Sequence, residues 1–304
     1  MNSASDPPTT TFLGLDDETA EYENAATVIL PVPYERTTSY GQGTRNGPAA
    51  ILAASQQVEL YDEELDREPA DGGIATVAPC QPESFEPAEA LREIEAEARR
   101  HMAAGKFVVT LGGEHSLTLA PVRAAVDVFG NDIGVVQFDA HADLRDSYEG
   151  TPYSHASVMK RIVDLGLPTL AIGLRSLSPP EREILRRDER PVIWGYELER
   201  AEELWDERLA QLPERVYLTL DLDFLDPSLL PATGTPEPGG GFWSPTLRLL
   251  RRLFETKDVV AMDVVELAPL PGLPASDFIA AKLAYKCMGY RSVSAFEGPS
   301  DSSA

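Results

Sequence analysis

Short apolar runs alternate along this chain with longer stretches in which apolar residues return every three or four positions. The runs are Ala26–Val32, Gly73–Val77, Lys106–Leu111, Ile133–Phe138, Thr169–Leu174, Val192–Trp194, Val216–Leu220 and Asp258–Val265. They are β-branched or continuously apolar, which predicts strands buried on both faces. Between them, Pro87–Ala104 carries Ala, Leu and Ile on one side and Glu and Arg on the other, with Pro87 suited to the first turn of a helix. Leu117–Phe129, Ser154–Asp164, Pro180–Arg187, Ala201–Gln211, Pro245–Glu255 and Ser276–Met288 read the same way. Alternation of this length predicts an α/β protein, with a mostly parallel sheet of about eight strands covered by helices on both faces. No Pro/Gly/Ser-rich linker and no internal repeat interrupts it. A single domain over residues 21–297 is therefore expected, with flexible tails at 1–20 and 298–304.

In such sheets ligands bind beyond the carboxyl ends of the strands. Three clusters stand there: Gly112-Gly113-Glu114-His115-Ser116, Asp139-Ala140-His141-Ala142-Asp143 and Asp221-Leu222-Asp223-Phe224-Leu225-Asp226. Glu266 ends a fourth strand. Asp139, His141 and Asp143 alternate by two, so in extended backbone all three share a face. An acidic residue after a strand often caps the next helix, but capping uses one such residue, not three in register around an imidazole. Asp221 and Asp223 repeat the spacing. Carboxylates this close repel unless protonated or neutralised by cations, so metal ligation is the simplest account. Asp226, before Pro227, suits a turn or a supporting role. His115 alone would be a weak signal, and gains weight from its neighbours. The chain has four histidines; His101, at the end of an amphipathic stretch, is expected to be exposed. His155 is within reach of the acidic rim, where its ordinary pKa near 6.5 would suit a proton shuttle. The donors exceed what one ion needs, which predicts two divalent ions.

Composition narrows the partners. The net charge is −24, with 26 Lys and Arg against 50 Asp and Glu. Phosphate neutralisation requires clustered Lys and Arg, so the charge argues against nucleic acid, and no nucleic-acid partner is expected. A negative field concentrates cationic substrates and metal ions, although an acidic surface can equally reflect habitat. No apolar run approaches the roughly 20 residues of a membrane span, so no membrane partner is expected. The segment Met1–Thr11 is polar, without the basic and apolar regions of a leader. Cys80 and Cys287 make no metal or redox motif and are expected to be buried apolar residues in a reducing, cytoplasmic setting.

These motifs resemble the ureohydrolase family, which includes arginases and agmatinases. The resemblance runs from Pro31-Val32-Pro33-Tyr34 and Gly41–Pro48, through the three clusters, to Asp263-Val264-Val265-Glu266. The segment Pro231-Ala232-Thr233-Gly234-Thr235-Pro236-Glu237-Pro238-Gly239-Gly240 is most similar to the agmatinase branch. The resemblance implies a three-layer α/β/α fold with two Mn²⁺ per chain. His115, Asp139, Asp143 and Asp221 would hold one ion; His141, Asp139, Asp221 and Asp223 the other, with Asp139 and Asp221 bridging. It makes Glu266 the carboxylate that grips a guanidinium, His155 the proton-shuttling histidine, and the assembly a homo-oligomer, a trimer or hexamer. Carboxylate and imidazole donors suit Mn²⁺, and two ions sharing one water generate a nucleophile near neutral pH. Asp143 could accept a hydrogen bond from that nucleophile and relay its proton to the departing nitrogen.

The segment after the second cluster, Leu144-Arg145-Asp146-Ser147-Tyr148, lacks an asparagine that the arginase pattern has there, which argues against L-arginine. Asp146 and the acidic field favour a cationic tail, so agmatine, cleaved to putrescine and urea, is the expected substrate. N1-aminopropylagmatine would need the same chemistry in a longer groove. Arg145 could bind the carboxylate of 4-guanidinobutyrate, or make a structural salt bridge. A single-zinc deacetylase of the same fold is the alternative from another class; imidazoles in two clusters argue against it.

Overall fold

The structure, a computed structural model, describes residues 10–294. Its strands are β1 Thr27–Val32, β2 Ile74–Thr76, β3 Phe107–Gly112, β4 Ile133–Phe138, β5 Thr169–Leu174, β6 Val192–Trp194, β7 Arg215–Asp221 and β8 Asp258–Val265. They form one eight-stranded sheet in the order β2-β1-β3-β8-β7-β4-β5-β6. Every pairing is parallel. The helices are α1 Asp17–Ala20, α2 Gly47–Ser55, α3 Pro87–Ala103, α4 Leu119–Phe129, α5 Val158–Asp164, α6 Pro179–Arg187, α7 Ala201–Leu209, α8 Trp243–Thr256 and α9 Ala275–Ser292.

Two apolar cores sandwich the sheet, as continuous apolar strands require. On one face, Ile51 of α2, Trp205 of α7, Leu250 and Phe254 of α8 and Tyr285 of α9 meet Val136, Leu218 and Met262. On the other, Ile94 of α3, Val122 of α4, Met159 of α5 and Leu185 of α6 meet Val135, Tyr217 and Ala261. Neighbours in one strand, such as Val135 and Val136, go to opposite cores because side chains alternate along a strand. This is the three-layer α/β/α arrangement expected of the family.

Two expectations need correction, and α2 adds a helix to those predicted. The first twenty residues are not all tail: Phe12 and Leu13 are buried in the core. Their backbone amides are held by Thr76 Oγ1 at 2.8 Å and Ser55 Oγ at 2.9 Å. Residues 1–9 and the expected tail at 298–304 lie outside the described residues. Helix α2 was not anticipated, because Gly-Pro-Ala-Ala-Ile-Leu-Ala-Ala-Ser has small or apolar residues all round and no polar face to set a period. His101 is buried instead of exposed, with Nδ1 2.8 Å from the Tyr22 hydroxyl; the partner comes from a segment 79 residues away, which no local pattern reveals.

The strand order has one consequence for function. β3, β8, β7 and β4 are consecutive neighbours at the centre of the sheet. His115, Glu266, Asp221 and Asp139 stand at the carboxyl ends of these strands, so three clusters and Glu266, distant in sequence, meet on one rim.

Candidate metal centre and active site

His115 begins a 3-10 turn, His115–Thr118, directly after β3. Its Nδ1 lies 3.1 Å from Asp139 Oδ2, 3.0 Å from Asp143 Oδ2 and 3.3 Å from Asp221 Oδ2. His141 Nδ1 lies 2.8 Å from Asp223 Oδ2 and 3.7 Å from Asp139 Oδ1. Asp139 therefore turns one oxygen toward each imidazole, and two donor groups, His115-Asp139-Asp221 and Asp139-His141-Asp223, share it. Asp143 joins the first group through His115. Backbone amides hold these carboxylates in place: Asp139 Oδ1 accepts from His141 N at 2.6 Å, Asp221 Oδ1 from Asp223 N at 2.9 Å and Asp223 Oδ1 from Ala140 N at 3.0 Å. Gln137 Nε2 donates to Asp139 Oδ2 at 2.7 Å. Alternation along extended backbone puts these donors on one side, as the i, i+2 spacing predicts.

The donor set fits two divalent ions. His115 Nδ1 is buried and makes no hydrogen bond, yet three carboxylate oxygens surround it at 3.0–3.3 Å. Ligands in neighbouring positions around an octahedral ion, each at about 2.1 Å, stand about 3.0 Å apart. Asp139, Asp143, Asp221 and Asp223 are all buried and, ionised, carry the negative charge that two divalent cations would balance. Without such cations the charges crowd one another. Burial and the charge of Asp223 raise the Asp221 carboxyl well above its ordinary range; burial and the charge of Asp139 push Asp143 up to about 6. For His141, burial opposes protonation, but Asp223 beside it lifts the imidazole to about 11. A site that must hold either protons or cations is what metal ligands look like with the ion removed.

Two site residues hold non-glycine backbone in the left-handed region, Asp143 at φ 51° and Glu266 at φ 67°. Such conformations cost about 1–3 kcal/mol and persist where surrounding structure over-determines them, often at functional sites. Glu266 is anchored by His115 N, which donates to its Oε1 at 2.6 Å. Burial, with the nearby charge of Glu114 adding, pushes its carboxyl up to about 8, a group that gains from a cationic partner.

A cavity of about 370 Å³ opens over the donors, lined by Glu266, His155, Asp143, Arg145, Tyr148 and Glu237 among others. His155 opens the 3-10 turn His155–Ser157. Its ring stands edge-on to Tyr148 with centroids 5.6 Å apart, and Nδ1 lies 3.2 Å from Thr37 Oγ1. Asp146 is not in the cavity wall. Its carboxylate is exposed and paired with Arg161 Nη2 at 2.8 Å, which corrects its expected place at the substrate. Arg145 lines the cavity but lies over the Tyr148 ring and 3.9 Å from Glu181, closer to a structural than to a carboxylate-binding arrangement. Asp226 holds a turn, accepting from Ser228 N at 3.0 Å and Gly239 N at 2.8 Å.

Sequence reasoning passed over three supporting residues. Glu114 is fully buried and accepts from Arg36 N, Thr37 N at 2.6 Å, Thr37 Oγ1 at 2.8 Å and Ser116 Oγ. Thr37 in turn receives His155 N at 3.0 Å, so Glu114 and Thr37 together seat the histidine. A carboxylate between Gly-Gly and His was a usable signal. Arg175 gathers the carbonyls of Asp223 and Glu237, each at 2.7 Å, tying the loop 224–238 to the rim; nothing local marks it.

A model described as the Arginase family matches residues 25–289. The chain belongs to the arginase family. It is a ureohydrolase acting on a guanidino substrate. Among its relatives, the N(1)-aminopropylagmatine ureohydrolase of Synechocystis sp. is 45% identical over 275 residues, covering 88% of this chain and 90% of that one. The ureohydrolase of the same description from Thermus thermophilus is 39% identical over 274 residues, covering 90% and 93%. The crystal structure of an agmatine ureohydrolase of Thermoplasma volcanium superposes with a TM-score of 0.81 at 32% identity, covering 90% of this chain and 92% of that one. Among the described residues of this ureohydrolase, no helix is long and apolar enough to cross a membrane.

Proposed function

We propose that this ureohydrolase hydrolyses the guanidinium of N1-aminopropylagmatine, with two Mn²⁺ per chain, releasing urea and the corresponding amine. The observation that carries the substrate is the 45% identity, over 88% of the chain, to a relative of that description; a second such relative at 39% adds to it. This revises the expectation of agmatine itself, for which the support is lower in identity, as in the solved structure at 32%. The cavity wall is compatible with a cationic tail. The Glu237 carboxylate lines the cavity and lies 4.0 Å from His141 Nε2. Its charge is thus available near the site.

His115, Asp139, Asp143 and Asp221 would hold one ion, and Asp139, His141, Asp221 and Asp223 the other. Bound there, such ions supply a water nucleophile ionised near neutral pH and acid assistance at the guanidinium carbon. The protein's own groups do the rest. Glu266 Oε2, left open while Oε1 is held by His115 N, pairs with guanidinium N–H groups and fixes the carbon over the donor set. Asp143 directs Oδ2 to His115, leaving Oδ1 to take the nucleophile's proton and pass it to the departing nitrogen. His155, seated by Thr37, would protonate the leaving amine.

Urea release after Mn²⁺ loading tests the reading, with N1-aminopropylagmatine, agmatine, 4-guanidinobutyrate and L-arginine compared by kcat/KM. N1-aminopropylagmatine is expected to lead. Agmatine leading would restore the shorter substrate, and L-arginine leading would overturn the cationic-tail reading altogether.

A further inference from the structure

The ligand role of His115 uses Nδ1, and its other nitrogen leads into the sheet. Nε2 lies 3.0 Å from Thr219 Oγ1 in β7. Thr219 Oγ1 donates to Asp263 Oδ1 in β8 at 2.6 Å, and the Tyr217 hydroxyl donates to Asp263 Oδ2 at 2.8 Å. β7 and β8 pair with Thr219 directly beside Asp263, so register alone brings them together. All four side chains are at most 1% exposed. A carboxylate in the middle of a parallel sheet is costly unless its oxygens are satisfied, and neither Asp263 nor Thr219 has a part in the chemistry described above.

With Asp263 ionised, the protons in this row have one consistent arrangement. Both Asp263 oxygens act as acceptors, which is the ionised form. Thr219 has a single hydroxyl proton, and Asp263 takes it. Toward His115 the threonine oxygen can then only accept, so the imidazole proton sits on Nε2 and Nδ1 keeps its lone pair. We infer that Asp263, acting through Thr219, fixes His115 as the Nε2–H tautomer and so presents Nδ1 to the first metal position; both are positioning residues. Metal-ligating histidines ordinarily have their second ring nitrogen oriented by an acceptor, and removing it typically costs about 10–100-fold in metal affinity. The inference rests on the metal-centre reading and is independent of which guanidino substrate is cleaved.

The test is Mn²⁺ titration of the metal-free full chain, following free ion by electron paramagnetic resonance. Thr219→Val removes the hydroxyl at constant shape, and is expected to weaken one of the two ions about 10-fold while leaving the other unchanged. Asp263→Asn can place an amide donor against Thr219 and turn its proton toward Nε2, so the same ion should weaken more, toward about 100-fold. Thr219→Ser should bind as wild type. In a spectrum of ¹⁵N-histidine protein loaded with diamagnetic Zn²⁺, a slowly exchanging Nε2–H is expected in wild type and Thr219→Ser, and lost in Thr219→Val. Variants that bind both ions as tightly as wild type overturn the inference, as does parallel loss of both ions with a falling melting temperature, which marks a merely structural row. Wild-type protein that binds no Mn²⁺ overturns the metal-centre reading and the inference with it, a result distinct from tight wild-type binding with insensitive variants.

Discussion

Replacing Glu266 by Gln removes one charge and no volume at the point where the substrate's guanidinium is to be held. In the structure Glu266 is 8% exposed, its Oε1 is committed to His115 N at 2.6 Å, and its Oε2 is free toward the cavity. A glutamine there has two choices. It can keep its carbonyl on His115 N and turn its NH₂ toward the guanidinium, donor against donor; or it can reverse and leave the buried His115 N–H without an acceptor. Either way the guanidinium loses the carboxylate charge opposite it. Losing one partner of a buried, hydrogen-bonded ion pair costs about 2–5 kcal/mol. At 1.36 kcal/mol per tenfold, kcat/KM should fall by about 30- to several-thousand-fold. The assay is urea release at saturating Mn²⁺, with metal content measured on the same samples. A variant within about threefold of wild type, with both ions bound, would refute the assignment, since a charge-assisted contact in a buried site is worth more than that.

Three further outcomes follow from the geometry. Asp223→Ala removes the acceptor of Ala140 N and the carboxylate nearest His141; it should lose one ion per chain and all measurable urea release with the fold intact, and retained activity would remove Asp223 from the donor set. Metal-free protein should lose stability as pH rises from 5 to 8, because Asp143 at about 6 and Glu266 at about 8 keep protons in the folded chain that they release near their ordinary values of 3.8 and 4.5 when unfolded. Mn²⁺ should stabilise increasingly over the same range, and thermal unfolding with and without chelator reads both; a metal-free protein that gains stability with pH would contradict the crowding of charges. Lys286, 2% exposed, pairs with buried Asp62 and with Glu64, each at 2.9 Å; Lys286→Met strands Asp62 and should cost about 3–5 kcal/mol, seen as a lower denaturant midpoint at unchanged slope.

The α/β class, the strand runs and the three clusters were legible in the sequence because each is a local signal. Continuous apolar residues require burial on both faces, and Asp139-Ala140-His141-Ala142-Asp143 puts its donors on one face by the period of a strand. Ile133–Phe138 and Thr169–Leu174 even keep their boundaries. What sequence could not supply is adjacency. That β3, β8, β7 and β4 are consecutive neighbours is a property of the strand order, and it alone brings His115 to 3.0–3.3 Å from the oxygens of Asp139, Asp143 and Asp221. Asp146 failed for the complementary reason: it is near the cluster in sequence, but the chain turns its carboxylate to Arg161. Glu114, Thr37 and Arg175 act through partners 48 to 118 residues away, so no window contains the interaction. The candidate metal and substrate residues announced themselves by charge and spacing, which are written in one dimension. Those that aim them depend on which strands lie side by side, and only the folded sheet decides that.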